Sequence, residues 1–487
     1  MSHQQIGPSE SRVAEDIAPT NTDVIKTVTE LNEDHPLNWR ASKRWLHVTL
    51  AAVLGLIANM AATMCAPGIG GLVAEFGIES SKILGTLAVT IYVLGIALGP
   101  LVMSPLSETW GRLLIYHASN IIFVAFLIGS ALSRNIAQYM VFRFLSGCAG
   151  GAPMALGGGT IADVTHLKER ASAMALFSLG PLTGPVLGPL IGGFVATSRG
   201  WRWTFWVLVI LSSAVTMFTF AVMRETHPRV LHERKSRSLR VSEGSVASEY
   251  VSQLQRHLSA RHLLLQALTR PFELLIQSPV LLAISLYVAF IFGLLYILFT
   301  SFSPVFEGQY GFSTATSGLV YLGLGISLVI DVFIFGPLNH RVQAVCEKRD
   351  GGHVPEHRLL LMIWFSPFVP AGLLLYGWTV EYKVHWVVPI LGTVLIGFGG
   401  FFIVMPAQLY IVDLFGSGAS ASALSASLLV RYVCGTFLPL ATPKLYATLR
   451  YGWGNTLLAL LALVFVPAPI IIYHFGKRVR QRNMSKA

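Results

Sequence analysis

Residues 180–193 read Gly-Pro-Leu-Thr-Gly-Pro-Val-Leu-Gly-Pro-Leu-Ile-Gly-Gly. Gly180, Gly184, Gly188 and Gly192 recur at every fourth position, so in a helix they share one stripe, and Pro181, Pro185 and Pro189 each follow a glycine of that stripe. Small residues let two helix backbones approach closely, and prolines free backbone carbonyls and bend the helix. A packing stripe alone needs the glycines but not the repeated Gly-Pro. The stretch lies within an apolar run, 171–196, long enough to cross a bilayer.

The rest of the chain agrees with a membrane setting. Of its 487 residues 53% are hydrophobic and 12% charged, against about 25% charged in an ordinary soluble protein. That deficit cannot cover a water-facing surface. The four cysteines are Cys65, Cys148, Cys346 and Cys434, three of them inside apolar runs, which argues against a disulfide framework or a zinc site. Residues 1–44 are polar, lack the apolar core of a secretory signal and are expected to be a disordered tail.

A helix needs about 20 apolar residues to cross a hydrocarbon core of about 30 Å. Twelve such spans are predicted, at 45–66, 83–104, 113–132, 137–161, 171–196, 202–223, 280–303, 314–338, 358–378, 385–411, 419–441 and 453–475. A polar, basic loop at 224–279, carrying HERKSRSLR at 232–240, divides them six and six, and its part from about Tyr250 to Leu275 is expected to form an amphipathic surface helix. The expected fold is an all-α membrane protein of two pseudo-symmetric six-helix halves, 45–223 and 280–475, with a basic tail at 476–487.

Lysine and arginine orient the spans, because cytoplasmic flanks hold the excess. With the amino terminus inside, 26 of the 35 basic residues fall on the inner face and 7 on the outer, while Arg143 and Arg431 lie within spans. Both termini are therefore expected in the cytoplasm. The net charge of +11 then belongs to a face against anionic lipid, a better reading than nucleic-acid binding. The halves also resemble each other: Ser172 to Leu176 in span five aligns with Ser422 to Ala426 in span eleven, and the same offset pairs Pro189 with Pro439.

Three motifs carry chemistry. Between spans two and three, Pro105-Leu106-Ser107-Glu108-Thr109-Trp110-Gly111-Arg112 places an acid and a glycine-arginine pair in a short turn. It resembles the signature loop of the major facilitator superfamily at Leu106, Gly111 and Arg112; Ser104, Glu108 and Thr109 depart from it. Span four carries Arg143, Gly147 and Gly151 on one face, a cation beside a close-packing surface. A charge at membrane depth costs several kcal/mol unless paired or hydrated, which makes a functional role the default, with binding to backbone carbonyls as the structural alternative. The superfamily associates such an arginine with proton coupling. The Gly-Pro stripe of span five, Gly180, Gly184, Pro185, Gly188, Pro189 and Gly192, resembles the antiporter motif of its drug and proton exchangers.

Leu37-Asn38-Trp39, Tyr410 to Asp413, Arg431-Tyr432, Pro439-Leu440 and Gly476 to Arg480 look like the fungal twelve-span drug:proton antiporter group, over residues 37 to 482. That resemblance implies a monomeric, multi-pass protein of the plasma membrane, with the vacuolar membrane as the alternative. It implies export of a small organic molecule (a secondary metabolite, toxin, drug or weak organic acid) by alternating access, in exchange for protons. No cofactor, metal or nucleic acid is implied; the proton gradient is the energy source. Import by proton symport and broad polyamine or drug export are the rival readings. An enzyme is disfavoured because the 14 histidines are scattered, and ATP-driven export because no GxxxxGK[ST] phosphate loop occurs.

Alternating access would place cargo near the midplane, lined by spans one, four, seven and ten. Cargo-contact candidates are Asn59, Tyr92, Arg143, Tyr287, Tyr296, Gln408 and Tyr410, although a single membrane tyrosine is more often an interface anchor. Span one has no carboxylate. Asp331 is the one acid well inside a span, and with Arg143 it is the candidate for proton coupling. Asp163 and Asp413 sit at inner span ends, Glu307 at an outer one. Glu108, Arg112 and Asp163 are the candidates for a conformational latch. Two buried cations against one buried acid tilt the expected cargo toward neutral or weakly acidic molecules.

Overall fold

The computed structural model describes residues 35–228, 230–231, 260–352 and 354–484. The expected disordered tail up to residue 34 and most of the basic loop, 232–259, lie outside the described residues. Among the described residues all regular structure is helical. Judged by length and hydropathy, ten helices qualify as spans. Span four escapes that criterion because it is broken into Ile136–Gly150 and Ala152–Val164 at Gly151, where Pro153 removes a backbone donor. Spans eleven and twelve merge into the single stretch Ala419–Gly476. The twelve expected spans are thus all present, and an even number puts both ends of the bundle chain on one face, called here the terminal face; the other is the distal face.

Tight reversals join several spans through one residue. Gly111 (φ 94°) separates span two, Lys82–Trp110, from span three, Arg112–Leu132, and Gly200 (φ 85°) separates span five, Leu167–Arg199, from span six, Trp201–Val222. The helix Val387–Phe437 folds back at Gly416 (φ 59°) to give spans ten and eleven. Between spans eleven and twelve the same reversal falls on Arg450 (φ 57°, ψ −173°), a conformation nearly confined to glycine that costs another residue about 1–3 kcal/mol.

Span one, Ala41–Thr63, lies directly on the glycine stripe of span five. A methyl group built on Gly180 would come within 2.3 Å of the Ala52 carbonyl oxygen, on Gly184 within 2.8 Å of that of Leu56, on Gly188 within 2.6 Å of that of Met60 and on Gly192 within 2.0 Å of that of Met64. Four glycines at four-residue spacing thus meet four carbonyls at the same spacing. The prolines have a part in this. Pro189 has no N–H for the Pro185 carbonyl, and Thr63 Oγ1 donates to that oxygen instead, at 3.0 Å. Association in lipid rests on packing and such polar contacts, because the surroundings are as apolar as the helices.

The halves meet along two seams. Span two packs against the span ten–eleven helix, and span five against the start of span eight, Thr314–Leu319 and Leu322–Asp350. In the second seam a methyl on Gly318 would lie 2.6 Å from the Pro189 oxygen. On the terminal face the loop helix Ala260–Gln277 touches span two of one half and the span ten–eleven helix of the other, with Leu275 buried. On the distal face Arg202 gathers three segments, donating to Glu75 at 2.6 Å and to the carbonyls of Ala131 (2.6 Å) and Ser133 (2.8 Å). That hydrogen bond from Arg202 holds the Glu75 carboxyl below its ordinary pKa.

Arg450→Gly is expected to raise stability by about 1 kcal/mol or more by relieving the backbone, read as a higher thermal midpoint in detergent; an unchanged midpoint would show the reversal to be unstrained. Gly180→Val and Gly192→Val should abolish monodisperse protein in size-exclusion chromatography. Gly158→Ala, whose added methyl meets nothing within 4 Å, should leave the profile intact.

Candidate functional site

Near the middle of the bundle, Arg143 is fully buried. Its Nη1 donates to the Ala61 carbonyl at 2.9 Å, and Nη2 to those of Ala62 and Val89, each at 3.4 Å, with Cys65 Sγ at 3.6 Å. The Tyr92 ring centroid lies 4.4 Å and the Phe205 centroid 5.6 Å from the guanidinium carbon. Ala61 and Ala62 belong to the last turn of span one, where helix carbonyls lack intrahelical donors and the helix dipole favours a cation. The structural alternative for this arginine, a cage of backbone carbonyls, is therefore its actual surrounding. Tyr92 is spent locally, donating to the Ala58 carbonyl at 2.7 Å.

Arg431 of span eleven is a second buried arginine, in the other half, and its surroundings differ. It is 9% exposed, and its guanidinium carbon lies 5.1 Å from the Phe292 centroid and 5.2 Å from that of Tyr432. Among the described residues nothing forms a hydrogen bond or ion pair with it, and Nε is buried without a partner. Two ring faces offer a cation about 0.5–2 kcal/mol, short of the several kcal/mol that burial of an ion costs. Tyr296 of span seven, Pro279–Tyr310, is within electrostatic reach of both arginines and is held between Phe292 and Phe299 at centroid distances of 5.0 and 5.6 Å.

The other sequence candidates scatter. Asn59 donates to the Gly55 carbonyl at 2.9 Å and lies 3.5 Å from Met154 Sδ. Tyr287 is stacked on Phe465 of span twelve, ring planes 1° apart, and so is turned away from the Arg143–Tyr296–Arg431 group. Tyr410 is buried in the core, and Gln408 is half-buried. Asp331 is completely buried, and neither carboxyl oxygen has a hydrogen-bond partner among the described residues. It lies at helical spacing between Ser327, which crowds Gly397, and Phe335, which packs edge-on against Phe401 and Phe402. That face of span eight meets span ten.

On the terminal face Arg112 Nε donates to Asp163 Oδ2. Glu108 is exposed and outside this pair. The acid that completes the group is Glu225, which follows span six and accepts from the backbone N–H of Arg112 (3.0 Å) and Leu113 (3.1 Å), capping span three. A methyl on Gly111 would come 2.4 Å from Glu225 Oε2, and one on Gly159 would come 2.2 Å from Arg112 Nη1. Both glycines clear space for this charge cluster. In the other half Arg358 Nε donates to Asp413 Oδ2 at 2.9 Å, a second copy of the pair. Each pair lies inside one half, so it fixes a helix end and does not join the halves.

Between the halves, on the distal side, is a cavity of about 390 Å³. Span two contributes Lys82, Thr86 and Val89, span seven Thr300 and Ser301, and span eleven and its extension Thr442 and Tyr446. Its wall includes Val89, whose carbonyl also holds Arg143, so the cavity reaches the arginine cage. None of the sequence candidates lines it. Its residues sit at span ends, where hydroxyls and single charges look like ordinary boundary residues, and no spacing in the sequence marks them.

Comparison with known proteins gives one consistent result. The family model described as Major Facilitator Superfamily matches residues 51–439. A protein named MFS transporter prlG, from a Fungal sp., is 49% identical over 451 residues, 92% of this chain and 94% of its own length. A trichosetin biosynthesis cluster MFS transporter of Gibberella fujikuroi is 44% identical, covering 92% and 86%, and efflux pump radE of Floropilus chiversii is 40% identical, covering 92% and 82%. Among solved structures, a partially occluded, inward-open xylose transporter XylE from E. coli superposes with a TM-score of 0.64 at 16% identity, covering 88% of this chain and 97% of that one.

The two arginines are expected to respond differently to the same substitution. Arg143→Lys strands carbonyls that a compact ammonium cannot all reach, and should cost about 1–3 kcal/mol. Arg431→Lys has no hydrogen bond to lose, only part of its ring contacts, and should cost less, about 1 kcal/mol or below. Thermal unfolding of the purified variants tests both; equal losses would contradict the difference in their surroundings.

Proposed function

The chain belongs to the major facilitator superfamily, and we propose that within it this protein is a secondary active exporter, moving a small organic molecule outward in exchange for protons by alternating access of its two halves. The observation that carries this is the half-open cavity of about 390 Å³ between the halves, reaching the Arg143 cage. Its lining mixes hydroxyls with apolar side chains, as expected of a site for a small organic ligand. The relatives whose names state efflux or a biosynthesis cluster support outward movement of a metabolite. The protein acts as a monomer in the plasma membrane. Its terminal face is cytoplasmic, in keeping with the basic residues concentrated there.

Both terminal nitrogens of Arg143 are held by carbonyls, so the proton falls to Asp331, a buried acid with no hydrogen-bond partner among the described residues, packed where span eight meets span ten. The Arg112–Asp163 and Arg358–Asp413 pairs anchor the inner ends of their halves as these rock.

Deletion of the gene should make a compound accumulate inside cells, and that compound should enter inverted vesicles under a pH gradient. Accumulation in the medium instead, or uptake indifferent to the gradient, would sink export by proton exchange. Asp331→Asn should abolish the pH-driven component while the protein remains monodisperse; unchanged coupling removes Asp331 as the proton carrier.

A further inference from the structure

Two arginines lie deep in the bundle, and only one has its charge answered. Arg143 has three carbonyls, a thiol and two rings. Arg431 is nine-tenths buried and has the faces of Phe292 and Tyr432 alone; Nε is buried without a partner in both arginines, but no carboxylate, carbonyl or hydroxyl is bonded to any nitrogen of Arg431 among the described residues. A buried cation without a counter-charge marks a place for an anion. We infer that Arg431, which lies outside the walls of the cavity of about 390 Å³, is an anion-binding residue on the route of the cargo and that the cargo is a carboxylate-type organic anion with an apolar body. This rests on the export function proposed above and names the substrate class.

The chemistry around Arg431 fits that class. A guanidinium offers parallel N–H donors in a planar fork that matches the two oxygens of a carboxylate, which an ammonium cannot reproduce. Tyr296 of span seven packs against Phe292, the same ring that Arg431 faces, and its hydroxyl has no hydrogen bond among the described residues, which makes it the donor to test beside Arg431. Phe292, half-buried beside Tyr296, offers apolar surface to the body of such a molecule. Among the described residues no acid pairs with Arg431, which argues against a cationic cargo such as a polyamine, since the same charge would repel it.

The test compares 2-naphthoate with 2-naphthamide, matched in size and differing in charge, by equilibrium dialysis against the full-length protein in lipid nanodiscs. The acid is expected to bind at least ten-fold more tightly than the amide. Arg431→Gln should bring the two to parity by weakening the acid alone, and Tyr296→Phe should narrow the gap without closing it. If Arg431→Gln fails to fold, Arg431→Lys decides: losing the fork should lower affinity for the acid and leave that for the amide. No binding of naphthoate, equal binding of the two probes by the parent, or selectivity that survives in the Arg431 variants overturns the assignment. Vesicle flux is scored separately. Selectivity without flux refutes export and keeps the anion site, and flux without selectivity does the reverse.

Discussion

Span one rests on span five at backbone contact distance, glycine against carbonyl over four consecutive helical turns. Much of the amino-terminal half hangs from that contact. It fixes the depth and rotation of span one, whose last turn then offers the Ala61 and Ala62 carbonyls to Arg143. The same line of contact leaves Pro189 and Gly193 free on another side of span five to meet the start of span eight. A side chain larger than hydrogen at any of the four glycines would therefore reach beyond local packing. It would move the arginine cage, and through Val89 the wall of the cavity between the halves.

The two halves repeat a plan and depart from it where charge is concerned. Arg112–Asp163 and Arg358–Asp413 tie the start of the third helix to the end of the fourth in each half. Gly200 and Arg450 stand at corresponding reversals, both with positive φ and extended ψ. Such paired features hold each half together as a unit. The buried arginines do not follow the repeat. Arg143 is in the fourth span of its half and Arg431 in the fifth of the other, the first neutralised by helix-end carbonyls and the second left to aromatic faces. In a low-dielectric interior that difference separates a structural cation from one with capacity to bind.

Much of the fold was legible in the sequence. The twelve apolar runs, the six-and-six division and the close-packing character of residues 180–193 follow from local composition, because a bilayer dictates span length and a helix dictates which residues share a face. Arg143 and Arg112 were identifiable for the same reason: a charge inside or beside an apolar run has few harmless explanations. Glu225 was not, since it sits a hundred residues from the helix end that it caps. Nor were the cavity residues of spans two, seven and eleven, whose types are ordinary for span ends.

The sequence by itself determined a twelve-span bundle, its helical stripes and the positions of its few buried charges, because each depends on residues close together in the chain. Only the tertiary structure decided what each charge meets. Arg143 and Arg431 are the same residue in similarly apolar surroundings, and no local pattern distinguishes them. Whether a guanidinium finds carbonyls or only rings depends on which helix ends are carried to it by spans distant in sequence. The glycine-proline stripe changes meaning in the same way: as sequence it is a helix face able to pack closely, and in the fold it is the seat that brings the end of span one to Arg143.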